Sequence, residues 1–258
     1  MICSRCHHFA AAPGGTLCAR CAGTPEPPAQ LFAGVPTAWL RSPVGLGRAA
    51  AAVLGLVIAT DLFAIHADLL QFDVSGDLVD GAYGTAVARR ADHADAVYNA
   101  AGIAQTAALM TSIVVYLCWF YRVRVNAEVF HPFGHSKKRG WAIGAWFTPV
   151  VNLWMPRRIT LDIWDASSPW GAPRSHAPVN AWWTLWIISL LADRASFSAY
   201  RRADGAQGLH DAARLMLFSD AVDIAAAALA VFVVLRLTGM QRRKALGGPS
   251  PMAETMSL

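Results

Sequence analysis

WAIGAWFTPVVNLWMPRR, residues 141–158, decides how the rest of the chain is read. The stretch is apolar enough for a bilayer, yet it holds Pro149, Asn152 and Pro156 and ends in Arg157 and Arg158. From Trp141 to Pro156 it runs sixteen residues, roughly 24 Å as a helix, whereas a hydrocarbon core is about 30 Å thick. Pro149 also removes a hydrogen bond midway, and backbone freed at membrane depth needs protein or water to satisfy it. Residues 141–156 are therefore expected to form a re-entrant or interfacial element and not to cross. Trp141, Trp146 and Trp154 would sit at headgroup level, with Arg157 and Arg158 facing lipid phosphates. Pro156 would open a short surface helix, RITLDIWDA, with Arg158 and Asp162 paired at i,i+4. The Asn152 amide is placed to bond carbonyls freed by the proline break, or to line a small-molecule site at the inner face.

Composition supports a membrane setting. The chain has 258 residues, 55% of them hydrophobic and 15% charged, against about 25% charged in a soluble domain; mean hydropathy is +0.36. Four runs are long and apolar enough to span, at about 48–70, 100–121, 181–200 and 212–237. Charge orients them. Arg5, Arg20, Arg41 and Arg48 precede the first run, while Arg122, Arg124, Lys137, Lys138 and Arg139 follow the second. Arg242, Arg243 and Lys244 lie in the tail, whereas 71–99 is acidic and reads as a solvated loop. The positive-inside rule places both termini and the 122–140 segment in the cytoplasm, which requires an even number of crossings. Trp39, Trp119, Tyr121, Trp182, Trp183 and Trp186 all fall at the cytoplasmic ends of the runs, as interfacial aromatics do. The expected fold is an all-α membrane protein with four transmembrane helices over 48–240, followed by a cytoplasmic tail at 241–258.

Residues 1–22 differ in kind. Cys3-x-x-Cys6 and Cys18-x-x-Cys21 flank a Pro13-Gly14-Gly15 turn that lets the chain double back. Two such knuckles offer zinc four thiolates, a closed tetrahedral set that suits a structural ion and leaves no open position for catalysis; disulfides and a redox role are the alternatives. His7 and His8 read as solvated neighbours. No apolar run follows a basic start here, so no secretory leader is expected and the N-terminus stays on the mature chain. Residues 23–47, rich in proline, read as a semi-rigid tether.

The 141–158 stretch resembles a bacterial membrane family known as domain of unknown function 4328, whose members carry a segment of the type Gly-Trp-Phe-x-Pro-x-x-Asn-Leu-x-x-Pro. The matching positions are Gly144, Trp146, Phe147, Pro149, Asn152, Leu153 and Pro156, with Ala145 inserted after the glycine. The resemblance covers about 48–240, and a zinc-ribbon-like start is similar to that of some relatives. It implies a multi-pass protein of the bacterial plasma membrane and brings no activity, substrate or catalytic residue.

Ionisable residues inside the expected spans are costly and so are candidate functional groups. Asp61 lies in the first run, Asp193 and Arg194 in the third, Asp220 and Asp223 in the fourth, with His66 and Asp68 further out. All fall in the outer half, as one cluster in which Arg194 meets an excess of carboxylates or as a salt bridge beside solvated acids. Gln105 and Cys118 read as packing residues. No P-loop, dinucleotide glycine motif, HExxH or GxSxG run is present, nor a defensible internal repeat. The leading expectation is a non-enzymatic membrane protein whose ribbon engages a cytoplasmic protein; nucleic acid is disfavoured because the ribbon's own basic residues are Arg5 and Arg20. The alternatives are a small permease or proton-linked transporter using the outer-half cluster, and a lipid-active enzyme near 141–158.

Overall fold

The computed structural model describes residues 3, 4, 16, 40–169 and 175–247. The chain divides into two units, Met1–Thr37 and Ala38–Leu258. In the first, the Ser4 N–H and hydroxyl both donate to the Thr16 carbonyl, at 2.9 and 3.1 Å, and Cys3 is buried. Cys6, Cys18 and Cys21 lie outside the described residues.

In the second unit the described residues form six α-helices and no strand: α1 (Val44–Val79), α2 (Thr85–Phe130), α3 (Trp141–Phe147), α4 (Met155–Ser167), α5 (Ala177–Arg202) and α6 (Gly205–Leu246). α1, α2 and α6 are long and apolar enough to cross a membrane. α5 has 26 residues, roughly 39 Å of helix, but a more polar composition than those three.

The helices outrun the expected spans. The 71–99 segment is not a loop: α1 continues to Val79 and α2 begins at Thr85, so the acidic residues decorate a helical hairpin. The chain turns in a few residues because Gly81 takes φ +80. There the Ala82 N–H bonds the Asp77 carbonyl at 2.9 Å and the Gly81 N–H bonds that of Leu78 at 3.2 Å. This left-handed cap satisfies the last carbonyls of α1 and lets it run further than hydropathy alone suggests. Ionic and polar ties between Asp77 and Arg90, and between Gln71 and Asp95 at 2.6 Å, hold the two arms together.

Small residues set the packing. α1 lies between α2 and α6, and α6 between α1 and α5, giving the row α2–α1–α6–α5. Ala50, Ala64 and Ala67 of α1, Ala101 and Ala108 of α2, and Ala226, Ala227 and Ala230 of α6 are buried. Such residues let helix backbones approach where lipid removes the hydrophobic incentive to associate. At Gly47 the approach is closest: a Cβ there would lie 2.4 Å from Thr238 Oγ1. Larger apolar side chains point outward instead, Leu62, Ile103, Val114 and Phe218 among them, as on a surface facing lipid.

The 141–158 stretch does not form a spanning helix. α3 has seven residues, about 10 Å, and Pro149 and Val150 turn the chain into a short 3-10 segment, Val151–Leu153, before α4. Val150 has φ +66, a strained conformation for a β-branched residue. The Asn152 backbone N–H, at 3.0 Å from the Thr148 carbonyl, spans the break. Pro156 sits in the first turn of α4, as expected. The Arg158–Asp162 pair does not form: Asp162 accepts from Ser136 N–H and Oγ at 2.9 and 2.6 Å, which pins the preceding loop. Arg157 donates twice to Asn180 Oδ1, at 3.1 and 2.7 Å, and so holds α4 to the start of α5. Trp146 is a wedge, not a headgroup anchor. Its ring meets Tyr116, Phe120, Trp183 and Trp186 at centroid distances of 5.5, 5.9, 6.0 and 5.6 Å.

A polar knot fastens α4 to the bundle. Arg124 is 2% exposed and donates to Glu128 at 2.7 Å and to the Lys137 carbonyl at 2.6 Å, while Arg139 pairs with the other Glu128 oxygen. Buried Asn126 donates to the Arg41 carbonyl at 2.8 Å and to Gln241 at 3.1 Å. Gln241 reaches the Val123 carbonyl at 2.8 Å and Ser167 at 3.1 Å.

Candidate functional site

α2 and α5, at the two ends of the row, make no extensive contact with each other. Between them lies a cavity of about 1270 Å³, floored by α1 and α6. Aromatic rings bridge the gap at both ends. At the α1–α2 hairpin end, Tyr98 of α2 meets Tyr200 of α5 at 5.7 Å, and the Tyr98 hydroxyl reaches the Met216 sulfur at 3.7 Å. At the other end Trp146, wedged in by the proline break, meets Tyr116 and Trp186. Eighteen residues separate Tyr98 from Tyr116, roughly 27 Å of α2.

The cavity is polar in one half and apolar in the other. Asp61 and Asp68 of α1, Asp193 of α5, and Asp220 and Asp223 of α6 all line it. Gln105 of α2 is their cross-link: its Nε2 donates to Asp61 Oδ1 and to Asp220 Oδ1, both at 3.1 Å. Ser219 donates to Asp193 Oδ1 at 2.6 Å. Asp68 lies within hydrogen-bonding reach of Asp220, and Asp193 within reach of Asp223. Asp61 and Asp68 are 4% and 2% exposed, and among the described residues no donor reaches Oδ2 of either. Among the described residues the lining contains neither lysine nor arginine. Towards Trp146 the walls become apolar, with Leu109, Met110, Ile113 and Leu190.

Four of the residues expected to cluster, Asp61, Asp193, Asp220 and Asp223, thus share one cavity. Arg194 and His66 do not. Arg194 lines a separate shallow depression with Phe197, Arg201 and Arg202, and His66 is exposed. The reason is angular. Successive residues on a helix point about 100° apart, so the face of α5 that carries Ser189, Asp193 and Ser196 excludes Arg194, and the face of α1 that carries Asp61, Ala64 and Asp68 excludes His66. Gln105 is not a packing residue but the central donor. Its signal was a single amide amid apolar neighbours, and that of Asp68 was its seven-residue spacing from Asp61.

The arrangement can do one thing well. Buried carboxylates without a basic partner need positive charge, either protons shared between neighbours or a cation. Among the described residues no three or more of His, Cys, Asp and Glu stand close enough together to hold a metal ion. The carboxylates form a belt around a cavity and not a chelating cage, which suits protons or a cation larger than a bare ion.

Of the other expected positions, Trp146 and Phe147 line the cavity, whereas Pro149, Asn152 and Pro156 shape the turn that delivers them. No curated protein and no solved structure matches the chain. Residues 84–239, from the start of α2 to the last turns of α6, match the profile of the family described as Domain of unknown function (DUF4328), and the chain belongs to that family.

Proposed function

We propose that the membrane unit binds, and passes through or across the bilayer, a cationic solute held in the acid-lined cavity. The observation that carries this reading is Asp61 Oδ2: buried and, among the described residues, without a donor, in a cavity lined by four more carboxylates and by no lysine or arginine. A stable structural cluster would carry its own counter-charge, as Arg124 and Glu128 do. In this reading α5 is the fourth crossing. Its support is that α5 packs along α6 and shares the cavity with three helices that are themselves long and apolar enough to span. Both termini then lie on the cytoplasmic side of a bacterial plasma membrane. A protease site inserted at Ala203–Asp204 should be cut from outside intact cells, and one at Pro132–Phe133 should not.

The test of binding is calorimetric. Full-length protein in an uncharged maltoside detergent should take up tetramethylammonium, and Asp61→Asn combined with Asp220→Asn should abolish the heat. Equal heats from both proteins would end the proposal.

The same chain carries Cys3, Cys6, Cys18 and Cys21, which we assign to one structural zinc in a ribbon that engages a cytoplasmic protein partner. The two hydrogen bonds from Ser4 to the Thr16 carbonyl support it, since they bring the residue after Cys3 beside Thr16. Purified protein should hold close to one zinc per chain and lose it on Cys6→Ser with Cys18→Ser. Unchanged zinc content would remove the assignment.

A further inference from the structure

We propose that the solute is an amphiphilic organic cation, and that it reaches the cavity sideways from the lipid through the gap between α2 and α5. This rests on the cation-binding reading and names the ligand class and its route.

Three observations converge. The gap is bounded by rings only at its ends, Tyr98 against Tyr200 and Tyr116 with Trp146 against Trp186, and no extensive packing closes the middle. Its rims are apolar and exposed: Ile103 is 72% exposed and Met110 52% on α2, and Leu190 is 38% on α5. Such a rim would face acyl chains and is no place for a hydrated ion to shed its water. The interior then divides lengthwise, with the carboxylates of Asp61, Asp193, Asp220 and Asp223 in one half and an apolar channel ending on Trp146 and Trp186 in the other. A charged head matches the first half, and an alkyl or aromatic body the second. The aromatic floor adds an attraction for cationic groups and a flat apolar stop for a chain. A volume of about 1270 Å³ exceeds what a small ion needs and lies above the usual range for a small organic ligand, which leaves room for a long one.

A homologous series in maltoside detergent tests the ligand class: tetramethylammonium, butyltrimethylammonium and decyltrimethylammonium, with decyl sulfate as the anionic counterpart. Partition into protein-free micelles of the same detergent is measured separately and subtracted from the uptake by the parent protein and by the Asp61→Asn, Asp220→Asn double variant. Apparent affinity should tighten by at least about tenfold from tetramethylammonium to decyltrimethylammonium, since each buried CH₂ contributes up to about fourfold. Decyl sulfate should not compete. The route is tested by Gly102→Phe. Gly102 lines the cavity next to the exposed Ile103, and a Cβ there meets nothing within 4 Å. The new ring should block the gap without straining the helix, cutting decyltrimethylammonium association by about tenfold or more and tetramethylammonium association by clearly less. Leu190→Trp, on the opposite rim, repeats the test should the first variant not yield folded protein.

Affinity that does not change along the series would overturn the amphiphile and leave the cation site standing. Chain-length dependence that survives in the double variant would mean that an apolar chain alone is bound, and would overturn it equally. A plug that slows both cations alike would overturn the lateral route. Failure of every cation to bind the unmodified protein would remove the cation site itself.

Discussion

Two sets of deeply buried polar side chains, one towards each end of the bundle, are treated in opposite ways. Where α2 and α6 meet α4, Arg124, Asn126 and Gln241 are each under 3% exposed, and each has two or more hydrogen-bond partners. Towards the α1–α2 hairpin, Asp61 and Asp68 are as deeply buried, yet one oxygen of each meets no donor. Both sets pay for desolvation, but only Arg124, Asn126 and Gln241 recover it within the protein; at their end the atoms left without a partner among the described residues are Arg139 Nη2, the His135 ring nitrogens and Trp146 Nε1, none of them a carboxylate. A fully satisfied network rigidifies a structure, whereas an acid belt without counter-charge waits for something to arrive. Substitutions of similar size should therefore divide: costly to stability in the knot, and costly only to binding in the belt.

The largest stability effect should come from Arg124→Met. It leaves Glu128 with Arg139 alone and strips the Lys137 carbonyl of its donor, a loss of about 3 kcal/mol or more. Thermal unfolding in detergent should show a clear fall in Tm. Gly47→Leu should follow at about 1–3 kcal/mol, because its Cβ would strike Thr238 at 2.4 Å and disturb the Trp119 Nε1 bond to Thr238, 3.0 Å long. A Tm within a degree of the parent for either variant would mean that the knot end is looser than its hydrogen bonds imply.

Asp61→Asn sharpens the contrast from the other side. Asparagine keeps the oxygen that accepts from Gln105 and removes a buried charge, so unfolding should move by less than about 1 kcal/mol, in the stabilising direction. Cation uptake should fall at least tenfold in the same protein. If Tm drops as far as it does in Arg124→Met, the carboxylate is a structural group and the contrast between the two ends fails.

Much of this architecture was legible in the residues themselves. The proline at 149 and the short apolar run around it announce that no single long helix forms here, and α3 with its 3-10 turn agrees with that. Asp220 and Asp223, three apart, fall on one face of a helix by spacing alone. What could not be read is rotation and register between helices. Arg194 adjoins Asp193 in sequence but points about a quarter-turn away, and nothing along the chain says which of the two faces inward. Gln105 becomes a bridge only because α2 lies beside α1 at the depth where Asp61 and Asp220 meet, a fact of packing and not of spacing. The helical hairpin over 71–99 was hidden for another reason: a helix rich in charge has no hydropathy signal, and its cap at Gly81 is a single residue.

The smallest effect expected tests whether the knot end is dry. His135 lies in the loop between α2 and α3, and burial together with the nearby Arg124 guanidinium pushes its pKa below the ordinary 6.5. A histidine with a lowered folded pKa is bound by a proton more readily in the unfolded chain. Its contribution is thus fully retained above the unfolded pKa and lost as pH falls through and below about 6.5. Tm measured from pH 8 to pH 5 should decline more steeply for the parent protein than for His135→Gln, with the two curves parallel above pH 7. The carboxylate belt titrates alike in both proteins and cancels in the difference. Parallel curves throughout would show that water reaches His135, and would make the knot end as wet as the cavity it is contrasted with.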